Sequence, residues 1–184
     1  MKIAYILFDK LTYLDFVGVY DPVSRLKSQE IIPELNWDIC SFTNLVSDEF
    51  GLQIIPNKIK NNLSEYDAII IPGGIGTREL QVNRDFLKWI KTSENVKYKI
   101  LVCTGSLILG AAGFLQNKSA TTHYNEYHSL EKYCNKVSFR TIEDDENTIT
   151  AGAVAASLEL GLYLCEKWAG KKAAQEIRNK MNYK

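Results

Sequence analysis

Apolar residues come in short unbroken runs along this chain, and helical patterns fill the spaces between them. Runs of Ile, Val and Tyr bounded by turn residues predict strands buried on both faces. On that pattern strands are expected at residues 2–8, 37–42, 50–55, 66–71, 99–102 and 120–122. Two more are expected at 137–142 and 148–150, separated by the acidic turn Glu143-Asp144-Asp145-Glu146-Asn147. A helix over 15–28 would bury Phe16, Val19, Tyr20, Val23 and Leu26, with Pro22 predicting a kink or a later start. Residues 83–93 place Phe86, Leu87 and Ile90 on one helical face behind Asn83 as N-cap. Further helices are expected at 106–114, at 124–133, at the apolar 153–168 and at the polar 171–182.

Strands that alternate with helices, joined by crossovers of helical length, predict parallel pairing. The expected fold is a doubly wound α/β domain, with a mostly parallel sheet and helices on both faces. It would occupy residues 1–184 as a single domain, because 184 residues with 46% hydrophobic content supply one full core.

Charge narrows the partners. Lys plus Arg and Asp plus Glu both number 22, which gives no reason to expect nucleic acid or an anionic membrane. The apolar stretch 100–115 falls short of the ~20 residues a bilayer requires and contains Thr104, Ser106 and three glycines. A strand pattern begins at once at the N-terminus, where a signal peptide would show a long apolar region. Cysteines stand at 40, 103, 134 and 165 without CxxC or zinc spacing, the usage of free thiols in a reducing cytoplasm. No metal site is expected.

In a sheet of this type ligands bind beyond the carboxyl ends of the central strands. Two segments reach that edge, Ile71-Pro72-Gly73-Gly74 and Val102-Cys103-Thr104-Gly105. Cys103 falls between a buried strand and a helix N-terminus, the position of the reactive residue in a nucleophile elbow. Free N–H groups and the positive dipole end there favour thiolate over thiol. An inert core cysteine is the alternative; for Cys40, Cys134 and Cys165 that plainer reading is preferred. Asp15 fits a helix N-cap, Thr104 fits a cap of the next helix, and Gly73 and Gly74 fit a tight turn.

Three segments together carry a family resemblance: LDFVG at 14–18, IIIPGGIG at 69–76 and VCTGSLILGAAGFLQNKSATTHY at 102–124. They resemble the DJ-1/PfpI superfamily, and the Cys-Thr-Gly form followed by ATTH is nearest to its isonitrile hydratase branch. The resemblance runs from about residue 3 to residue 168. It implies a flavodoxin-like fold, Cys103 as nucleophile, and Asp15 as the acidic residue that approaches it. It implies that the backbone N–H groups of Gly73 and Gly74 face the cysteine and that Thr104 completes the pocket. His123, after Ala120-Thr121-Thr122, is a further candidate for substrate binding. The implied activity hydrates an isonitrile to an N-substituted formamide with no metal or organic cofactor, acting on a small molecule, in a homodimer. The peptidase branch carries His after its cysteine, where this chain has Thr104. Other readings of the same cysteine are a hydrolase or glyoxalase-like enzyme, a redox sensor, or a regulatory ligand-binding domain.

Overall fold

Three strands at the middle of the sheet fix where the site must be. The computed structural model describes residues 1–183. β1 (Lys2–Leu7) leads through α1 (Tyr13–Ser28) to β2 (Asn36–Ser41). Three two-residue strands follow: β3 (Val46–Ser47), β4 (Gln53–Ile54) and β5 (Lys58–Ile59). Next come β6 (Ala68–Ile71), the short α2 (Thr77–Leu80), α3 (Arg84–Lys91), β7 (Tyr98–Val102) and α4 (Gly105–Ala111). β8 (Ser119–Ala120), α5 (Tyr127–Glu131), β9 (Lys136–Val137), β10 (Ile142–Asp145), β11 (Thr148–Ala151) and α6 (Ala156–Lys180) complete the chain.

The main sheet has the order β10-β11-β7-β6-β1-β2-β5. All of its pairings are parallel except that of β10 with β11. After β1 the chain winds outward through β2; after β6 it winds the other way through β7 and β11. The switch point lies between β1 and β6, and a crevice opens there beyond the strand ends. Continuous apolar strands suit this position: all four residues of β6 are buried, as are Ile100, Leu101 and Val102 of β7. Helices pack as two groups, α1 along α6 and α4 against α2, α3 and α5. This is the flavodoxin-like α/β architecture expected from the pattern.

Several elements differ from expectation. α1 begins at Tyr13 and runs through Pro22, which is buried within it. Pro22 lacks an N–H, and Gly161 of α6 approaches the Gly18 carbonyl that this N–H would otherwise have met. Only Gln53–Ile54 of the 50–55 segment is a strand, paired antiparallel with β3 outside the main sheet. Residues 120–122 give only the end of β8, and 124–133 gives a 3₁₀ turn (Tyr124–Glu126) and α5. Residues 137–142 are not one strand: β9 ends at Val137 and β10 starts at Ile142. The turn is shorter than its acidic sequence suggested. Glu143, Asp144 and Asp145 belong to β10, and only Glu146 (φ 52°) and Asn147 (φ 74°) form the hairpin loop. Residues 153–168 and 171–182 are joined as α6, which breaks at Gly170 (φ 86°, ψ 165°). Asn83 caps α3 as expected, its Oδ1 accepting the N–H groups of Asp85 and Phe86.

Candidate active site

The apolar β7 ends in Cys103, and the chain turns there into α4. Cys103 adopts φ 53°, a left-handed conformation that costs a non-glycine residue roughly 1–2 kcal/mol. The surroundings hold it in place. Its N–H is shared between the carbonyls of Ala151 and Gly152 at 2.9 and 3.0 Å. Its carbonyl accepts the hydroxyls of Thr122 (2.9 Å) and Ser106 (3.1 Å). A residue kept in such a conformation by its neighbours, at a strand-to-helix turn, has the geometry of a nucleophile elbow.

Asp15 comes from the first turn of α1 and is completely buried. It is not the N-cap, a position held by Thr12. Its Oδ2 accepts the Gly73 N–H at 2.9 Å, and its Oδ1 is buried without a hydrogen-bond partner. Gly73 lies at the centre of the group. A Cβ on it would stand 2.7 Å from the Thr104 nitrogen and 2.8 Å from both Asp15 Oδ2 and Cys103 Cβ. Thr104 occupies the N-cap position of α4 but makes no side-chain cap bond. Its hydroxyl instead donates to the Gly74 carbonyl at 3.2 Å and stands 3.1 Å from the Gly74 N–H, which donates to it. The Gly73 and Gly74 amides are thus already paired, one with Asp15 and the other with Thr104.

Electrostatics correct the expectation of a thiolate. Burial pushes the Cys103 thiol up to about 12; the Asp15 charge adds to this, and the Thr104 N–H and hydroxyl oppose it. Burial also raises Asp15 to about 7, against the Gly73 N–H and the Cys103 thiol, which favour its anion. Burial thus disfavours both anions, and each group's charge bears on the other's proton. Desolvation outweighs the pull of the turn's dipoles.

Cys103 opens onto a cavity of about 240 Å³. Thr12, Gly74, Ile75, Thr104, His123, Asn125 and Val154 line it. Arg78 and Glu126 also line it and form an ion pair at 2.7 Å. Asp15 and Gly73 adjoin Cys103 without lining the cavity. His123 Nδ1 accepts the Asn125 N–H at 3.2 Å, which leaves the ring's proton on Nε2 when it is neutral. His128 is exposed and pairs with Glu131. All four cysteines are free, and the described residues contain no cluster of His, Cys, Asp and Glu able to hold a metal. Arg78, Asn125 and Glu126 were missed in the sequence. The available signal was a pair of opposite charges, one a few residues beyond Gly74 and the other a few residues beyond Thr122.

A family model described as the DJ-1/PfpI family matches residues 1–167. The chain belongs to the DJ-1/PfpI family. Among its relatives within and around this family is an isonitrile hydratase of Pseudomonas putida, 32% identical, matched over 100% of this chain and 78% of that protein. The HTH-type transcriptional regulator GbdR of Pseudomonas aeruginosa is 25% identical over 99% of the chain, which spans 50% of the regulator. Among solved structures, a ThiJ/PfpI family protein from Pseudomonas syringae superposes with TM-score 0.88 at 25% identity, covering 99% of this chain and 74% of that one. DJ-1beta of Drosophila melanogaster superposes with TM-score 0.84 at 19% identity, covering 100% and 98%. The DJ-1/PfpI fold thus carries both enzymes and regulators, and only the site can separate them here. Among the described residues no helix is long and apolar enough to cross a membrane.

Proposed function

We propose that this chain is a cysteine-dependent isonitrile hydratase without a cofactor, with Cys103 as nucleophile and Asp15 as general acid and base. The observation that carries the reading is the pairing of a strained, cavity-facing Cys103 with a buried Asp15 whose carboxyl keeps its proton up to about pH 7. Similarity to the hydratase of Pseudomonas putida supports the choice of substrate.

An isonitrile's terminal carbon carries a lone pair and must take up a proton as a nucleophile adds to it, so an acid is required next to the sulfur. Asp15 gives its proton to that carbon while the Cys103 sulfur bonds to it, and the thiol proton passes to the Asp15 carboxylate. The isonitrile and the thiol have then become a thioimidate, R–N=CH–S–Cys103, with Asp15 protonated again. Water adds across the C=N bond, the C–S bond breaks, and the sulfur recovers a proton. The products are R–NH–CHO and the free thiol. Thr104 holds the Gly74 loop against the elbow, while Gly73 orients Asp15. His123, which lines the same cavity, supplies Nε2–H as a donor to the substrate.

The test is incubation with cyclohexyl isocyanide while formamide absorbance is followed. Turnover in the native protein and none in folded Cys103→Ala is expected. An intact thiol with no turnover rejects the reading.

A further inference from the structure

The Cys103 cavity has a neighbour. A second cavity of about 280 Å³ is lined by Thr122, Tyr124, Tyr127, Phe139, Arg140 and Ala153, among others. The two spaces interleave along the chain. Thr122 lines the second and His123 the first; Ala153 lines the second and Val154 the first. Two contacts tie the linings together: Thr122 donates its hydroxyl to the Cys103 carbonyl at 2.9 Å, and Tyr124 stacks on His123 with centroids 4.4 Å apart.

The second cavity has an aromatic rim open to solvent. Phe139 is 78% exposed and Tyr124 63%, and Tyr127 meets Phe139 edge to face at 5.0 Å. Large apolar side chains gathered around a concavity, each with a free face, mark a place where something apolar is bound. Rings that present both an edge and a face suit another ring best.

The geometry points to a second subsite that takes the N-substituent of the substrate: an aromatic arm carried on the nitrogen of the isonitrile held at Cys103. This rests on the hydratase reading. The reacting group fills the smaller cavity, and the arm crosses the ridge formed by His123–Tyr124 and Ala153–Val154 to lie against Phe139 and Tyr127. Small alkyl isonitriles leave the rim empty; arylalkyl isonitriles cover it.

The experiment compares kcat/KM for cyclohexyl isocyanide and 2-phenylethyl isocyanide in the native protein, Phe139→Ala and Ala153→Phe. The first substitution removes the rim and the second fills the space. The native protein should prefer the arylalkyl substrate on the order of 10-fold, and both variants should lose that preference, mainly through KM. Turnover of cyclohexyl isocyanide with the same substrate ratio in all three proteins overturns the subsite and leaves the hydratase reading standing. If neither isonitrile is turned over, the hydratase reading falls and calorimetric titration with N-(2-phenylethyl)formamide decides the subsite. Binding weakened on the order of 10-fold in Phe139→Ala retains it, and equal or absent binding removes it. A rim used instead between copies of the chain would give concentration-dependent sedimentation abolished by Phe139→Ala with an unchanged substrate ratio, which also overturns the proposal.

Discussion

Asp15 and Gly73, 58 positions apart in sequence, are joined by one hydrogen bond of 2.9 Å that leaves the other carboxylate oxygen buried and unpartnered. One N–H, with the Cys103 thiol beside it, does not compensate a carboxylate for leaving water, so the carboxyl holds its proton to about pH 7. This has consequences for stability and for rate.

Stability should fall as pH rises. The unfolded chain releases the Asp15 proton near 3.8, while the folded protein keeps it to about 7. The favourable contribution is therefore complete below about pH 4 and is lost progressively up to about pH 7, by at most about 4 kcal/mol from this group. Asp15→Asn keeps an oxygen for the Gly73 N–H and has no proton to lose. Chemical denaturation at pH 4.5 and pH 8 should show the variant gaining on the native protein at the higher pH. An equal difference at both would refute the assignment.

Turnover should follow the same proton. The acid form of Asp15 is the one that protonates the isonitrile carbon, so kcat/KM for cyclohexyl isocyanide should be level below pH 7 and fall above it. A rate that climbs steadily from pH 6 to pH 9 would mean that thiolate formation, not the carboxyl, limits the reaction.

Cys103 should be a slow nucleophile towards simple alkylating reagents. Its thiol is held near 12 by burial first and by the Asp15 charge second. Removing that charge in Asp15→Asn should speed iodoacetamide labelling of Cys103 at pH 8.5, read by mass spectrometry of the Cys103 peptide. Slower labelling in the variant would contradict the electrostatic account.

The elbow makes a prediction about glycine. Glycine normally costs roughly 0.5–1 kcal/mol relative to alanine inside regular structure, but at φ 53° it relieves strain that alanine keeps. Cys103→Gly should therefore unfold at a temperature equal to or above that of Cys103→Ala, though both lack turnover. The ordinary order, alanine clearly higher, would show that the conformation at Cys103 stores no strain.

Gly18 should tolerate nothing larger unless Ser157 changes with it. A Cβ there would collide with Ser157 Oγ and lie 2.7 Å from its Cβ, and that hydroxyl is fixed by its bond to the Leu14 carbonyl. Gly18→Ala should cost about 1–3 kcal/mol by overpacking the contact between α1 and α6. Adding Ser157→Gly should recover most of it, seen as a non-additive double-mutant cycle in denaturant.

Much of the fold could be read from the chain because its central strands are buried on both sides. A run such as Ala68–Ile71 has few other places to go. Cys103 was legible for the same reason: a thiol, a threonine and a glycine between two buried segments mark a strand end. What escaped reading depended on distant partners. Pro22 stays helical because Gly161 packs beside the Gly18 carbonyl, 143 residues further along the chain from that glycine. The residues of the acidic segment remain in a strand because Tyr163 and Lys167 meet Asp144, and Ser138 meets Glu143. The thiol's ionisation was misjudged because local dipoles are visible in a sequence, whereas the completeness of burial around Asp15 and Cys103 is not. Thr104 likewise turned from a cap into a tie because Gly74 folds back over it.

The carboxylates of β10 bear on how this protein behaves in crowded solution. An outermost ribbon normally offers its open backbone to any similar ribbon it meets, and association of that kind leads to fibres. Here three of that margin's four residues are acids held in ion pairs with Lys118, Lys167 and Arg140, so it presents paired charges instead of an apolar face. The opposite margin, β5, is only two residues long. Neither side is a good template, so the sheet is protected from growing by addition of further chains.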